Sequence, residues 1–407
     1  MAASTFVGSF TVPAATGNNA VTGVGFQPKA VIFWGDVRQS DGSFADNING
    51  EMPTFWGVAT SSTARGCIVS ASDWNTSHNI ALTNVCVSQR NSGGTVSYAA
   101  DFVSMDADGF TVNFSTANAF AYVINYLAIG GSDVSAIVLT NTTPAGTGNQ
   151  AWTGAGFQPS AVLIAADATT AQTNRYAHLA IGAANSTTSR WAVHTGMFSA
   201  GTTANRVVLT NAVTARISPT ANSIIYQADL NTFGSDGFTL NYSTAATGYT
   251  MVALCLGGTA QYKAGTITQR TSTGSQATTG VGFQPVGLHT VGLWTATAGS
   301  IQSSPTDMGD STGAASSATA RAVVATNEGS TQGATRLDRT RIYARTSDTP
   351  TTVAEADFTS FDSDGFTLNY GTADTNAYYI GYLAVGSAAG GGGASRALSS
   401  LTLMGVQ

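Results

Sequence analysis

The chain has 407 residues, of which only 9% are charged, against about 25% in ordinary globular proteins. Its net charge of −6 provides no basic surface for a phosphate backbone, so we expect no binding to nucleic acid. The longest apolar runs are about half the length needed to span a bilayer, and we expect no membrane insertion. The first residues lack the basic start of a secretory signal and already alternate like a strand.

Cysteine usage points to a reducing compartment. Cys67, Cys86 and Cys255 are an odd number, and none recurs at an equivalent place in the repeats described below. We expect free thiols in a protein that folds in a bacterial cytoplasm. A disulfide between Cys67 and Cys86 is the alternative.

Two short motifs indicate that the chain is one unit written three times. Gly-Phe-Gln-Pro occurs at residues 25–28, 156–159 and 282–285, and Asp-Gly-Phe begins at residues 108, 236 and 364, a period of 128 residues. This period is the size of a domain and exceeds the roughly 20 to 50 residues of solenoid repeats. We predict three tandem domains, followed by a glycine-rich linker and flexible tail. Their bounds are copy 1 (1–131), copy 2 (132–259), copy 3 (260–386) and the tail (387–407).

Each copy contains the same succession of short apolar segments. In copy 1 a strand is predicted before the first motif, and Pro28 suits the entry to a second, buried strand at 30–34. Residues 34–55 are rich in Asp, Asn, Ser and Gly without periodicity, which predicts a long exposed loop. Paired strands at 54–59 and 66–71 follow, joined by a Ser/Thr/Ala loop.

The unit closes with its clearest hairpin. Asp108 and Gly109 precede a run in which Phe110, Val112 and Phe114 alternate onto one face, and glycine in such a turn adopts positive φ. A final strand ends in glycine and leads to the next copy. No segment has a sustained helical period, so the prediction is an all-β fold of three tandem antiparallel β-sandwich domains.

Two arginines and one aspartate recur in every copy. The first arginine ends the Ser/Thr/Ala loop, and the second lies 11 to 13 residues before the aspartate. The first set is Arg65, Arg190 and Arg321, the second is Arg90, Arg216 and Arg345, and the aspartates are Asp101, Asp229 and Asp357. One interpretation is a ligand-binding constellation. We favour structural ion pairs, because an unpaired and partly buried charge is costly.

Other candidate groups favour structural roles. The carboxylates around Asp108 and Asp364 resemble the start of a calcium loop, but copy 2 has Gly234 at the first position, so we favour a hairpin turn. The histidines do not recur between copies, and we interpret them as surface residues. The tryptophans do not recur either, and core or inter-domain packing is their expected role, with sugar stacking as the alternative. We predict no catalytic residue, metal or cofactor.

The tail combines a glycine tether with a short apolar segment. Residues 390–393 are all glycine, and the segment after them contains Leu398, Leu401, Leu403 and Met404. These residues are too few for a core, and we predict that they order on a partner, for example by adding a strand to a sheet edge. The alternative is a terminus without a role.

Two resemblances are carried by the repeated residues. The run from Thr22 to Phe33, with the later Asp-Gly-Phe-Thr and the closing Tyr-Leu-Ala-Ile-Gly-Gly at 126–131, resembles modules of tailed-bacteriophage virion proteins in all three copies. The closing half, for instance residues 364–386, is similar to H-type lectins, which are trimerising six-stranded sandwiches that bind galactose-type sugars. Copy 2 departs from that pattern at 245–248. The lectin likeness therefore implies a sandwich and threefold packing, and no sugar-binding residue is transferred.

The expected function follows from these resemblances and from the near-neutral surface. We expect a non-enzymatic virion protein on the particle exterior, made in the bacterial host cytoplasm, as a capsid decoration, head fibre or tail component. Its expected partners are other virion proteins, and its own three copies are expected to pack as a pseudo-trimer. The alternative is a lectin-like module that binds host-surface glycans.

Overall fold

A computed structural model describes residues 2–42, 44–47, 53–72, 77–91, 93–168, 176–198, 204–218, 221–304, 308–328, 333–347 and 351–389. These residues form antiparallel strands, turns and loops, and within them there is no helix. The fold-class prediction is confirmed: the chain is all-β and consists of antiparallel sheets paired as sandwiches, three in tandem.

The strands of copy 1 are β1 (Ser4–Thr11), β2 (Gly17–Thr22), β3 (Pro28–Gly35), β4 (Phe44–Asn47), β5 (Thr54–Ala59), β6 (Arg65–Ser72), β7 (Ser77–Leu82), β8 (Val87–Arg90), β9 (Val96–Asp106), β10 (Gly109–Thr116) and β11 (Val123–Gly130). Those of copy 2 are β12 (Val134–Thr142), β13 (Gly148–Thr153), β14 (Pro159–Ala168), β15 (Tyr176–Ala184), β16 (Arg190–Phe198), β17 (Ala204–Leu209), β18 (Thr214–Ile217), β19 (Ile224–Gly234), β20 (Gly237–Thr244) and β21 (Thr250–Gly258). Those of copy 3 are β22 (Gln261–Thr268), β23 (Gly274–Thr278), β24 (Pro285–Leu293), β25 (Gln302–Ser304), β26 (Met308–Ala315), β27 (Arg321–Glu328), β28 (Gly333–Asp338), β29 (Tyr343–Thr346), β30 (Thr352–Asp362), β31 (Gly365–Thr372) and β32 (Tyr379–Gly386).

Each copy contains one large and one small sheet. In copy 1 the large sheet has the order β1-β11-β3-β5-β6-β7 and the small sheet the order β2-β10-β9-β8. Copies 2 and 3 repeat this order with their own strands, starting from β12 and β22. The predicted hairpin is β9–β10 in copy 1, β19–β20 in copy 2 and β30–β31 in copy 3. In their turns, Gly109, Gly237 and Gly365 have φ of 145°, 140° and 153°, as expected.

The strand after each Gly-Phe-Gln-Pro motif is buried on both faces. On β3, Val31 and Phe33 face the small sheet of their own copy, where Phe33 lies 5.5 Å from the ring of Phe110. Ile32 and Trp34 lie on the opposite face, as alternation along a strand requires. Burial on both faces explains why these segments are continuously apolar.

In each copy, the face of the large sheet that points away from the small sheet packs into one central core, which all three copies share. Ile32 of copy 1, Leu163 of copy 2 and Leu293 of copy 3 all belong to this cluster, as do Ala3, Val134 and Ala260 at the starts of the three copies. The three sandwiches therefore share one core.

The prediction of a long exposed loop at residues 34–55 is wrong at 44–47, which form a strand, while residues 43 and 48–52 lie outside the described residues. This segment contains β4, which pairs with β28 at the edge of the large sheet of copy 3. The equivalent segment of copy 3 contains β25, which pairs with β17 of copy 2. We use the name arms for β4 and β25. The arms were not predicted because each is stabilised by pairing with a strand of another copy. Such pairing leaves no periodic pattern in the sequence of the arm itself.

Candidate functional site: contacts that join the three copies

The Ser/Thr/Ala loops, to which the sequence assigned no role, connect the three copies. Each loop reaches the first strand of another copy and accepts a hydrogen bond from a backbone N–H there. Val138 N donates to Thr60 Oγ1 at 3.1 Å, Ala264 N donates to Asn185 Oδ1 at 2.9 Å, and Val7 N donates to Ser316 Oγ at 2.9 Å. Copy 1 thus contacts copy 2, copy 2 contacts copy 3, and copy 3 contacts copy 1.

These contacts lie on edge strands of the large sheets. The strands β1, β12 and β22 lie at the edges of their large sheets, and an uncovered edge has unpaired backbone groups that invite aggregation. The arms cover the opposite edge of the large sheets of copies 2 and 3. Each contact joins two different surfaces of neighbouring copies, so the interface is heterologous. The series of contacts returns to copy 1 after three contacts, which is the condition for a ring rather than a filament.

The first arginine set pins these loops to the small sheets. Arg65 Nε lies 2.5 Å from Asp101 Oδ1, Arg190 Nε lies 2.6 Å from Asp229 Oδ1, and Arg321 Nη2 lies 3.2 Å from Asp357 Oδ1. In copy 1 a second nitrogen of the arginine donates to Asp101 Oδ2 at 2.8 Å, so this pair is bidentate. Since each arginine directly follows its loop, the pair joins both sheets of one sandwich and fixes the loop that contacts the next copy.

The second arginine set lies elsewhere. In copy 3, Arg345 is opposite Ala354 on β30, three residues from Asp357 and therefore on the other face of the sheet. It forms an ion pair with Asp374, and its guanidinium lies 4.9 Å from the centre of the Trp294 ring. On sequence, both arginine sets were grouped with the repeated aspartates. In the fold, only the first set contacts them, and the second set is separated from them.

The same separation holds in copies 1 and 2. Arg216 is opposite Tyr226, again three residues before the aspartate, and its guanidinium lies 4.6 Å from the ring centre of Tyr249. Arg90 is opposite Val96, five residues before Asp101, and donates to Gly94 O at 3.2 Å. Burial lowers the pKa of both arginines from the usual value.

The contact between copies 3 and 1 has an additional charged pair. Arg339 Nε lies 2.9 Å from both carboxylate oxygens of Asp41, and its Nη1 donates to Ser9 Oγ at 3.0 Å. Beside it Gly42 N donates to Leu337 O at 2.9 Å. No sequence signal could have identified this pair, because 298 residues separate its members.

The repeated aspartate of the hairpin turn binds backbone rather than forming a calcium loop. Asp108 accepts from Gly23 N at 3.0 Å and from Gly25 N at 2.6 Å. Asp236 and Asp364 make the same two bonds to their own copies, and these hydrogen bonds hold the pKa of both carboxyls below its usual value. The described part of the chain contains no group of three His, Cys, Asp or Glu residues that could hold a metal ion.

The interpretation of the histidines as surface residues is wrong for three of the four. His78 and His194 are completely buried, and His289 is 1% exposed. The ring of His289 accepts from Trp56 Nε1 at 3.4 Å and lies 3.0 Å from Gly313 O through Nδ1. Burial lowers the pKa of His289 to about 4, so the ring is neutral and forms part of the contact between copies 3 and 1. The side chain of His178 lies outside the described residues.

The other side chains singled out in the sequence are mostly buried. Trp34, Trp56, Trp152, Trp191 and Trp294 are at most 2% exposed. Trp191 Nε1 donates to Tyr382 O of copy 3 at 2.8 Å, so it packs between copies as predicted. The three cysteines are free and buried.

Two buried aspartates with a raised pKa, Asp36 and Asp310, were not identified from the sequence. Burial raises the pKa of Asp36 to about 6, although the neighbouring Arg38 opposes the shift. Burial likewise raises the pKa of Asp310 to about 6, and its carboxylate accepts from the Thr326 hydroxyl. Single buried carboxylates leave no pattern in a sequence.

The tail residues Leu398, Leu401, Leu403 and Met404 lie outside the described residues, as does Trp74. The described chain ends at Ala389. Within the described ranges, no helix is long and apolar enough to span a bilayer.

Comparisons with known proteins leave the family open. No family model matches the chain, and no curated protein matches it. Among solved structures, a fructofuranosidase from Schwanniomyces occidentalis complexed with fructose has 8% identity and a TM-score of 0.12, with 56% of this chain and 60% of that chain covered. OpdQ from Pseudomonas aeruginosa has 10% identity and a TM-score of 0.12, covering 94% of this chain and 96% of that one. At such scores these likenesses support no argument about fold or function.

Proposed function

We propose that the protein is a non-enzymatic structural component of a bacteriophage particle, located on its exterior as a capsid decoration, head fibre or tail-associated protein. The observation that carries the proposal is the closed ring, in which one chain supplies all three positions of a pseudo-trimer. The resemblance of the Gly-Phe-Gln-Pro module to virion proteins agrees with it.

The ring suits a component that must persist outside a cell. The arms pair with one edge of the large sheets of copies 2 and 3, which removes two of the sites where strands of other chains could add. The chain contains few charged residues and many Ser, Thr, Asn and Gly residues. A single fused chain also avoids the concentration dependence of a dissociable trimer.

Mass spectrometry of purified virions tests the proposal directly. The producing phage is purified by density gradient, and the peptides of this protein are counted relative to those of the major capsid protein. A fixed stoichiometry that survives washing at high salt supports a virion component. Absence of the protein from infectious particles overturns the proposal.

A second candidate function is glycan binding, and one residue favours it. Phe120 is 56% exposed, in a loop before β11, and its ring lies 5.8 Å from that of Tyr122. Exposed aromatic rings commonly stack on the apolar faces of sugars. A glycan array with the native protein and Phe120→Ala separates the two functions, since binding lost in the variant supports a lectin and no binding by either protein excludes one.

A further inference from the structure

Two positions that recur in every copy differ in the size of their side chains. The first, which we name the loop position, directly follows the arginine at the end of each Ser/Thr/Ala loop. In copies 1, 2 and 3 it holds Gly66, Trp191 and Ala322. The second, which we name the strand position, lies on the large-sheet strand that ends each copy, β11, β21 or β32. It holds Asn125, Val252 and Gly381, and all six residues are buried.

In the contact between copies 1 and 2, the loop position holds the smaller residue. A Cβ atom added to Gly66 of copy 1 would lie 2.6 Å from Cγ2 and 2.8 Å from Cγ1 of Val252 of copy 2. Carbon atoms in contact are normally about 3.5 to 4.0 Å apart. Val252 therefore occupies the space that a side chain at residue 66 would need, and this contact requires glycine on copy 1.

The contact between copies 2 and 3 has the opposite arrangement. Trp191 of copy 2 packs against Gly381 of copy 3, where an added Cβ atom would lie 2.5 Å from Trp191 Cδ2 and Cε3. A hydrogen bond holds the indole in this place, because Trp191 Nε1 donates to Tyr382 O at 2.8 Å. Of the three residues at the strand position, only glycine leaves room for this tryptophan.

The contact between copies 3 and 1 differs from both. The corresponding residues are Ala322 at the loop position of copy 3 and Asn125 at the strand position of copy 1. Asn125 is completely buried, and neither atom of its amide has a hydrogen-bond partner within the described residues. The three contacts thus differ from one another in the size and the polarity of their residues.

Exchange of one copy for another would mismatch these residues. A ring of three copies 2 would place Trp191 against Val252, and neither side chain leaves room for the other. A ring of three copies 3 would place Ala322 against Gly381, and two small residues leave a gap. Overpacking and cavities both destabilise a protein core.

We propose that the residues at the loop and strand positions form complementary pairs that determine which copy each copy accepts as its neighbour. The loop face of copy 1 fits copy 2, and the loop face of copy 2 fits copy 3, whether that partner lies in the same chain or in a neighbouring one. The ring therefore needs three different copies in a fixed order, and one copy alone does not form it. This inference concerns assembly of the ring and does not depend on where the protein is located.

A double-mutant cycle on the full-length chain tests the inference. Gly381→Val should lower the melting temperature, because its Cβ atom meets the Trp191 ring. Trp191→Gly should lower it as well, because it leaves a cavity. The double variant transfers the pair of the contact between copies 1 and 2 to the contact between copies 2 and 3. It should melt well above the temperature expected from adding the two losses.

Two controls separate a specific pair from a general effect of the substitutions. Gly371→Val makes the same change at an exposed strand glycine of copy 3, where an added Cβ atom would meet only Glu355 Oε1, at 3.6 Å. It should leave the melting temperature nearly unchanged. Gly381→Val combined with Ala322→Gly reduces the loop position of the other contact of copy 3, and it should show no recovery.

A second cycle uses smaller changes, in case Gly381→Val prevents folding. Gly66→Ala should destabilise the protein, and Val252→Ala should restore part of the loss, whereas Asn125→Ala should not. Recovery only within the pairs Trp191–Gly381 and Gly66–Val252 supports the inference. Additive losses within these pairs, or equal recovery from Ala322→Gly or Asn125→Ala, overturn it, and neither result bears on whether the protein is part of a particle.

Discussion

Arg339 of copy 3 and Asp41 of copy 1 form an ion pair, with 2.9 Å from Arg339 Nε to each carboxylate oxygen of Asp41. Among the described residues, it is the one ion pair between copies that lies at an arm contact. The equivalent contact between copies 3 and 2 has the same backbone bond, Gly299 N to Val208 O at 2.8 Å, but Ala298 and Thr210 occupy the positions of the charged pair. The charges therefore distinguish the contact that closes the ring from the one made within the linked chain.

We expect charge reversal at this contact to weaken ring closure. Asp41→Arg or Arg339→Asp places like charges together and should lower the free energy of unfolding by about 1 kcal/mol, because both side chains are more than a third exposed and water screens them. The double reversal should restore most of the loss. Urea denaturation at low and high salt measures this, and a double reversal as unstable as the sum of the single variants contradicts it.

The arginines that follow the loops should contribute to stability in all three copies. Arg190→Met leaves Asp229 without its partner, and the expected loss is about 1 to 2 kcal/mol, since the carboxylate can still reach water. Arg65→Met should act alike, whereas Arg321→Met should cost less, because Asp357 keeps Arg341 Nη1 at 2.9 Å. Lys29→Met, at an exposed lysine, serves as the control. Equal melting temperatures for all four variants would show that the pairs are dispensable.

Asp310 should make the protein less stable at neutral pH than at pH 4. Its pKa is raised from 3.8 to about 6, so between these values the folded state holds a proton that the unfolded state has lost, and stability falls as pH rises through this window. Asp310→Asn should therefore raise the free energy of unfolding at pH 7 by roughly 1 to 3 kcal/mol. The gain should shrink towards pH 4. A variant that is destabilised at both pH values contradicts the assignment.

His289 should have the opposite dependence. Its pKa is lowered from 6.5 to about 4, so the unfolded state binds the proton first and stability is lost as pH falls from 6.5 to 4. Gln in this position can accept from Trp56 and donate to Gly313 O. As pH falls from 6.5 to 4, the stability of His289→Gln should therefore rise relative to that of the native protein. Denaturation at several pH values measures this. A constant difference between the two proteins would show that His289 does not titrate there.

The contacts of Ser387 and Ala388 move the expected boundary of the dispensable tail. Ser387 O accepts from Gln261 Nε2 at 2.8 Å, and Ala388 N donates to Asp133. Deletion of 390–407 should leave the melting temperature unchanged and weaken incorporation into particles. Deletion of 387–407 should lower the melting temperature as well, by a few degrees. If the shorter deletion assembles normally, the tail is not an anchor; if it lowers the melting temperature, the tail belongs to copy 3.

The sequence by itself determined the all-β class, the threefold repeat and most strands. Alternation of Phe110, Val112 and Phe114 and the Asp-Gly turn are local signals, because both the face of a strand and the φ of a turn depend on neighbouring residues. It also indicated which charges recur, since repetition of Arg65 or Asp101 is visible without knowing what they contact.

Only the tertiary structure decided which recurring groups meet and how the copies join. Arg345 and Asp357 lie on opposite faces of a sheet, while Arg321 reaches Asp357 from the other sheet. The arms, the buried His289 and the pair of Asp41 with Arg339 depend on contacts between distant parts of the chain. Their free energy comes from edges and cavities that another copy provides, and no local pattern in the sequence encodes a partner that is hundreds of residues away.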